Sequence, residues 1–218
     1  MKFGYLFNNR KEFEEDHEGE TEEEHAEHAE GEAALEMHLE TLNYDVKYNF
    51  PRYGKFETII GLQGMHQTNK NFGEEFLIPN AVTTDVGVLA TTHYHLEKID
   101  FQAGLRYDHR NIDSKAMGDP GSDEFRSALE RSFNSYNGAF GMKVDLTPQF
   151  TSRLNLATGF RAPNLAELTS RGSHHGTNRY EVGNPDLENE QNYQLDLALE
   201  LRNEHIELFT NAFYNSIE

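Results

Sequence analysis

The sequence predicts an all-β chain of long antiparallel strands forming part of a transmembrane β-barrel. Three observations carry that prediction: apolar and polar residues alternate in recurrent runs, the runs exceed ordinary globular strands, and short connections alternate with long ones. In 42–50, Leu42, Tyr44, Val46, Tyr48 and Phe50 share one face, while Asn43, Asp45, Lys47 and Asn49 share the other. Run 99–108 sets Ile99, Phe101, Ala103, Leu105 and Tyr107 against Asp100, Gln102, Arg106 and Asp108. Runs 135–146 and 193–202 repeat the pattern, the latter with Tyr193, Leu195, Leu197, Leu199 and Leu201 on one side. Weaker alternation marks 56–68, 85–96, 151–160 and 205–215, and with 2–7 this makes nine expected strands. Several reach ten residues, against a usual length of about 5–6.

The connections predict how the strands are arranged. Strands two and three meet through Pro51-Arg52-Tyr53-Gly54, four and five near Glu97-Lys98, six and seven through Thr147-Pro148-Gln149, and eight and nine near Asn203-Glu204. The other connections are long: 8–37, 69–81, 112–133 and 161–190. Because long and short alternate strictly, every long loop leaves the same end of the sheet. Only a closed barrel satisfies strand backbones in lipid. Tyr48, Phe50, Phe56, Tyr94, Phe101 and Phe150 cluster near the short turns, as an interfacial girdle would. Alternation alone does not say which face is wet, so a soluble acidic β-barrel binding a small ligand remains the alternative.

Charge excludes some functions. Lys+Arg 19 against Asp+Glu 38 gives a formal charge of −19, which opposes nucleic-acid binding. There is no Cys, hence neither a disulfide framework nor a thiolate metal site. No apolar run reaches the roughly 18 residues of a transmembrane helix, and the segment after Met1 does not read as a signal peptide. A His-Glu-x-x-His motif is absent, and no enzymatic chemistry is expected.

The acidity is concentrated. Residues 10–36 hold 13 carboxylates and two bases, Arg10 and Lys11, which is −11 of the total. Within and beside this stretch lie His17, His25, His28 and His38. Carboxylates and imidazoles together suit borderline divalent cations such as zinc. His25 and His28, at i and i+3, would share a face in a helical turn. The competing reading is a solvated surface loop that binds nothing. Asp108, on the polar face near a long loop, is a further candidate ligand. His93 and His95 fall on a polar face near a short turn, and His66 and His109 near the long-loop end; each reads as an ordinary polar residue.

The run Phe160-Arg161-Ala162-Pro163-Asn164-Leu165-Ala166-Glu167, followed by Asn184-Pro185-Asp186-Leu187 and then Glu190, resembles the barrel signature of TonB-dependent receptors, the energised outer-membrane importers of Gram-negative bacteria. Gly104-Leu105-Arg106-Tyr107-Asp108 and Asn211-Ala212-Phe213-Tyr214-Asn215 are similar to barrel strands of that family. The resemblance implies about nine consecutive strands of a barrel of about 22, with the plug domain, TonB box and leader absent, so that the chain reads as an internal barrel piece. It implies an outer-membrane location, lipid contact, a monomeric barrel and energy from the TonB–ExbB–ExbD complex. Phe160, Arg161, Ala162, Pro163, Glu167, Asn184, Pro185, Asp186 and Leu187 are expected to support the fold, with Arg161 and Glu167 able to pair.

Family resemblance also bears on cargo. Zinc receptors of the family carry His-rich outer loops, which points to a divalent metal ion as transported ligand, without a resident cofactor. His174 and His175 lie between the two signature halves, where haem receptors of the family place an axial His. Haem or a ferric siderophore is therefore the alternative cargo, although haem's propionates would be repelled by the acidic segment.

Overall fold

Apolar and polar residues alternate along each strand, and the strands assemble into one antiparallel sheet. The computed structural model describes residues 1–12, 35–72, 76, 78–122, 125–174 and 179–218. The order is β1 (Lys2–Glu12), β2 (Leu35–Asn49), β3 (Phe56–Asn71), β4 (Ala81–His95), β5 (Ile99–Ser114), β6 (Leu129–Thr147), β7 (Phe150–Arg161), α1 (Leu165–Thr169), β8 (Arg171–His174), β9 (Arg179–Val182), β10 (Glu190–Arg202) and β11 (Glu207–Ile217). Nine of these strands form a sheet ordered β1-β2-β3-β4-β5-β6-β7-β10-β11, and β8 and β9 form a separate hairpin.

Register turns the separate alternations into two continuous faces. Val46, Leu62, Val88, Tyr107 and Tyr136 are successive cross-strand partners from β2 to β6. Phe56, Tyr94, Phe101, Met142, Leu154, Leu197 and Ala212 form a second such row near the short turns. This apolar face is the open one: Val88 is 46% exposed, Leu105 73% and Tyr136 77%. On β4 the opposite residues Ala81, Thr83 and Gly87 are buried while Val82, Val86 and Val88 are exposed. A soluble barrel would cover its leucines. Here they face outward, as a lipid-facing wall requires.

The polar face is laced with ion pairs. Arg106 donates to both carboxylate oxygens of Asp108, at 2.7 and 2.9 Å from Nε, and reaches Gln63 two strands away. Gln63 in turn donates to Asp45 at 3.0 Å. Arg110 binds Asp85 with two bonds of 2.7 Å, and Arg153 binds Glu200 at 2.7 Å. Gly87 makes room for this lattice, since a Cβ there would lie 2.4 Å from Asp108 Oδ1 and 2.5 Å from Arg106 Nη2.

The short turns match expectation and are held by side chains. Asn203 Oδ1 accepts from the amides of His205 and Ile206 at 2.9 and 2.8 Å, and Thr147 Oγ1 accepts from those of Gln149 and Phe150. Gly54, at φ +60°, closes the turn between β2 and β3.

The long connections need correction. β1 runs to Glu12 and β2 begins at Leu35, so strand occupies part of the expected 8–37 loop. β5 continues to Ser114 and β6 starts at Leu129, shortening 112–133 in the same way. The physical reason lies on the outward face beyond the apolar rows. There His66 bonds Thr84 at 3.1 Å, His109 bonds Asn134 at 2.9 Å and Ser132 bonds Asn111 at 2.8 Å. In this region the outward face is polar while Leu129, Ile112 and Phe133 lie on the inner face, so the alternation inverts while the backbone ladder continues. The 161–190 connection is also structured, holding α1, β8 and β9.

Candidate functional site at the long-loop end

The segment between β7 and β10 folds back against the polar face of the sheet. Asn164 caps α1: its Oδ1 accepts from the Glu167 amide at 2.9 Å, and Glu167 Oε2 accepts from the Asn164 amide at 2.9 Å. Pro163 precedes that cap and is buried, as is Ala162 at 7% exposure. Leu168 faces inward and packs with Ile112, Phe133 and Ala162, flanked by Leu129, Phe160, Leu165 and Leu187. Ile112 and Phe133 belong to the polar-face rows of β5 and β6, so this small core lies on the inner wall beside the long loops.

Arg161 joins the two halves of the segment. Its Nη1 donates to Glu167 at 2.6 and 2.9 Å, while Nη2 and Nε donate to Glu190 at 2.6 and 3.0 Å. The expected Arg161–Glu167 pair is present, and Glu190 completes a three-residue bridge. The Glu167 carboxyl is held below its ordinary range, chiefly by the Asn164 amide and then by Arg161, against an opposing desolvation. Glu167 also offers its carbonyl to the Asn184 amide at 2.8 Å, and the Gly183 amide donates to Ser170 O at 2.6 Å. Gly183 must be glycine for this approach, since a Cβ would meet the backbone of Leu168 and Thr169 at 2.7 Å. Asn184 Oδ1 turns the chain by accepting from the Asp186 amide at 3.0 Å.

Arg131 of β6 secures the second half. Its guanidinium donates to Pro185 O and, at 2.7 Å, to Leu187 O, while lying over the Phe133 ring. Asn189 Nδ2 donates to Asn134 O at 2.9 Å. Sequence reasoning missed Arg131, Ile112 and Phe133, which fall outside the signature. The Asn164-x-x-Glu167 spacing was a legible helix-start signal that it did not use.

The candidate ligands are dispersed. His17, His25, His28 and His175 lie outside the described residues. The backbone of His174 is placed in β8, paired with Arg179. His38 sits in β2, its Nε2 2.9 Å from Glu36 Oε1 and its ring between Phe7 and Phe72. Glu36 also meets Lys11 Nζ at 3.2 Å. Asp108 is engaged by Arg106. His93 and His95 stack at the short-turn end of the polar face, with His95 Nδ1 2.7 Å from Asp100 Oδ1. His66 and His109 prove to lie on the outward face, because they share parity with Leu62 and Tyr107. Among the described residues, no group of three or more His, Asp or Glu is placed to hold a metal ion.

Residues 8–218 match the family model described as TonB dependent receptor-like, beta-barrel. A comparison with curated protein sequences finds no match. Among solved structures, the chain is similar to a copper transporter, OprC, at 16% identity and TM-score 0.66, covering 84% of this chain and 31% of that one. It is also similar to the Serratia marcescens hemophore receptor HasR, solved with its hemophore and heme, at 14% identity and TM-score 0.65, covering 83% and 33%. A third is the FrpB iron transporter of Neisseria meningitidis, at 13% identity and TM-score 0.61, covering 88% and 31%. At these identities the likeness is one of fold. The chain spans about a third of the length of each.

Proposed function

The chain belongs to the TonB-dependent receptor β-barrel family, and on that premise we propose that it is the barrel portion of an outer-membrane import receptor for zinc or a similar divalent metal ion. The observation that carries the cargo is the concentration of 13 carboxylates with His17, His25 and His28 in residues 10–36 of the sequence. A segment of charge −11 raises the local cation concentration before capture, and its imidazoles supply nitrogen ligands. His38 stands at its foot, and Asp108 would join only by exchanging Arg106 for the cargo. The role of the signature residues Arg161, Pro163, Glu167, Asn184 and Pro185 in this reading is to hold the loop against the inner wall, without touching cargo. Energy would come from TonB–ExbB–ExbD, and the barrel would act as a monomer surrounded by outer-membrane lipid.

The second reading keeps the family and changes the cargo to haem or a ferric chelate. It is favoured by the position of His174 and His175 in the sequence between the signature halves, with the backbone of His174 in β8. Known receptors of this fold serve copper, heme-loaded hemophore and iron, so the fold by itself is neutral between the two.

The test is a binding titration on the full-length receptor in detergent, with zinc and haem offered separately. Tight zinc binding that weakens when His17, His25 and His28 become Ala supports the first reading. A haem Soret shift lost on changing His174 and His175, with zinc weak, transfers the function to the second.

A further inference from the structure

We propose that His93 and His95 form a two-nitrogen chelate for a borderline divalent cation, zinc or copper, on the inner wall of the sheet at its short-turn end. Both project from β4 on the polar face, two residues apart, so the strand's period of two sets their rings side by side. The rings lie nearly parallel, with 15° between their planes and 6.0 Å between centroids.

Hydrogen bonding decides which nitrogens are on offer. An ionised carboxylate can only accept, so His95 Nδ1 donates to Asp100 Oδ1 across 2.7 Å. In the neutral ring this leaves the lone pair on Nε2. A carboxylate behind a histidine is the arrangement that fixes the tautomer and orientation of a metal-ligating imidazole. His95 Nε2 has Glu57 Oε2 at 3.7 Å, too far for a hydrogen bond and near enough for both to reach one ion. His93 is the register partner of that same Glu57 on β3 and of Gln102 on β5. Among the described residues no hydrogen bond or ion pair holds the His93 ring, and its ring contact is His95.

The chemistry selects the ligand. Two imidazoles suit zinc, copper or nickel, whereas magnesium and calcium take oxygen donors. At metal–nitrogen distances of about 2.0–2.1 Å, two nitrogens on one ion stand roughly 3–4 Å apart, so the rings lean together as the ion enters. Neighbouring charge is balanced, since Glu57 lies 3.6 Å from Arg52 and Asp100 lies 3.9 Å from Lys143. With two nitrogens and no third ligand yet converged, the chelate holds its ion loosely, as a stop on a path does. Glu12 and Leu35, between which the acidic segment runs, stand at the opposite end of the sheet. Use of the pair as a later stop for cargo rests on the zinc reading above, whereas its affinity for the ion does not.

The test uses full-length receptor in detergent, in a background where His17, His25 and His28 are Ala. Zn2+ is titrated by calorimetry, and Cu2+ serves as a spectroscopic probe. The background protein is expected to bind Zn2+, and His93→Gln and His95→Gln are each expected to weaken that binding at least tenfold. His66→Gln, on the outward face, should leave it unchanged. Bound Cu2+ should show electron paramagnetic coupling to two imidazole nitrogens in the background protein and to one in each variant, a signature that a merely structural histidine does not give. Circular dichroism confirms the fold of each variant, and two independent substitutions guard against one failing to fold. No Zn2+ binding in the background protein, or equal affinity in both variants, overturns the proposal. Zinc binding that is indifferent to the loop histidines and lost with His93 and His95 upholds this site while defeating the loop's part in the cargo reading. Binding lost with the loop histidines and indifferent to His93 and His95 does the reverse.

Discussion

Replacing Gly183 by Ala puts a methyl group 2.7 Å from Leu168 C and Thr169 N and 2.8 Å from Ser170 N, all backbone atoms at the end of α1. None is a flexible tip that can swing away, so the segment following β9 must retreat from the helix. Retreat stretches the 2.6 Å bond from the Gly183 amide to Ser170 O and the 2.8 Å bond from the Asn184 amide to Glu167 O. Each is worth about 0.5–1.5 kcal/mol net, and overpacking itself costs about 1–3 kcal/mol. Together they place the loss at about 2–6 kcal/mol, confined to the loop because the nine-stranded ladder is not touched. Native-state hydrogen exchange on the full-length receptor in detergent reads this directly. The Ser170, Gly183 and Asn184 amides should exchange roughly 30- to 20,000-fold faster, at about 1.4 kcal/mol per tenfold, while β4 and β5 amides are unchanged. Gly138→Ala serves as the control, since its Cβ makes only ordinary contacts. Unchanged protection of those loop amides in Gly183→Ala would refute the close-approach reasoning.

Leu197→Arg places a charge on the outward face between Leu154 and Ala212 and should cost about 2–4 kcal/mol in folding titrations into lipid vesicles, against little for a polar change at Gln194 on the inner face. Ile112→Ala removes a fully buried side chain from under α1 and should weaken loop docking by about 2–5 kcal/mol, read as faster proteolysis within 162–189. The loop should also loosen in acid. Because the folded Glu167 carboxyl titrates below its ordinary 4.5, its contribution is complete above that pH and is lost as pH falls through the depressed value. Hydrogen exchange at stepped pH should show this loss in wild type and not in Glu167→Gln.

The parts of the fold that were legible are those where the environment differs between the two faces. Leu195, Leu197, Leu199 and Leu201 alternate with Gln194, Asp196 and Glu200 because one side meets lipid and the other the inner wall, and β10 was found on that contrast. Toward the long loops the outward face turns polar and apolar side chains such as Leu39, Ile112 and Phe133 fall on the inner face, so the contrast changes sides. The upper ends of β2, β5 and β6 carry residues such as Glu40, Asn111 and Ser132 on the outward face, so the sequence read them as loop. In β3, Gly61 and Gly64 thin the pattern, which left the facing of His66 open until register assigned it. Helix α1 is five residues long, too short for periodicity to reveal. Its stability comes from Ile112 and Phe133, more than 30 positions away in sequence, and no local signal reports a contact of that range. The signature was legible as a motif, and its Arg161–Glu167 pair was anticipated from residue type. The Arg131 contacts to Pro185 and Leu187 were not, because they are made to carbonyls and carry no side-chain signature.

The hairpin of β8 and β9 closes at its base with Arg171 opposite Val182, immediately above the Gly183–Ser170 contact. Arg161, Leu168, Arg131 and Asn189, which fasten the segment to the barrel, lie on the barrel side of that closing pair. These anchors are thus gathered at the base of the segment, below the β8–β9 hairpin. Substitutions at Tyr180 or Glu181, beyond the Arg171↔Val182 pair, leave those anchors in place. The Arg171/Val182 pair is therefore the natural boundary for exchanging the hairpin between relatives, since the contacts below it keep the scaffold unchanged.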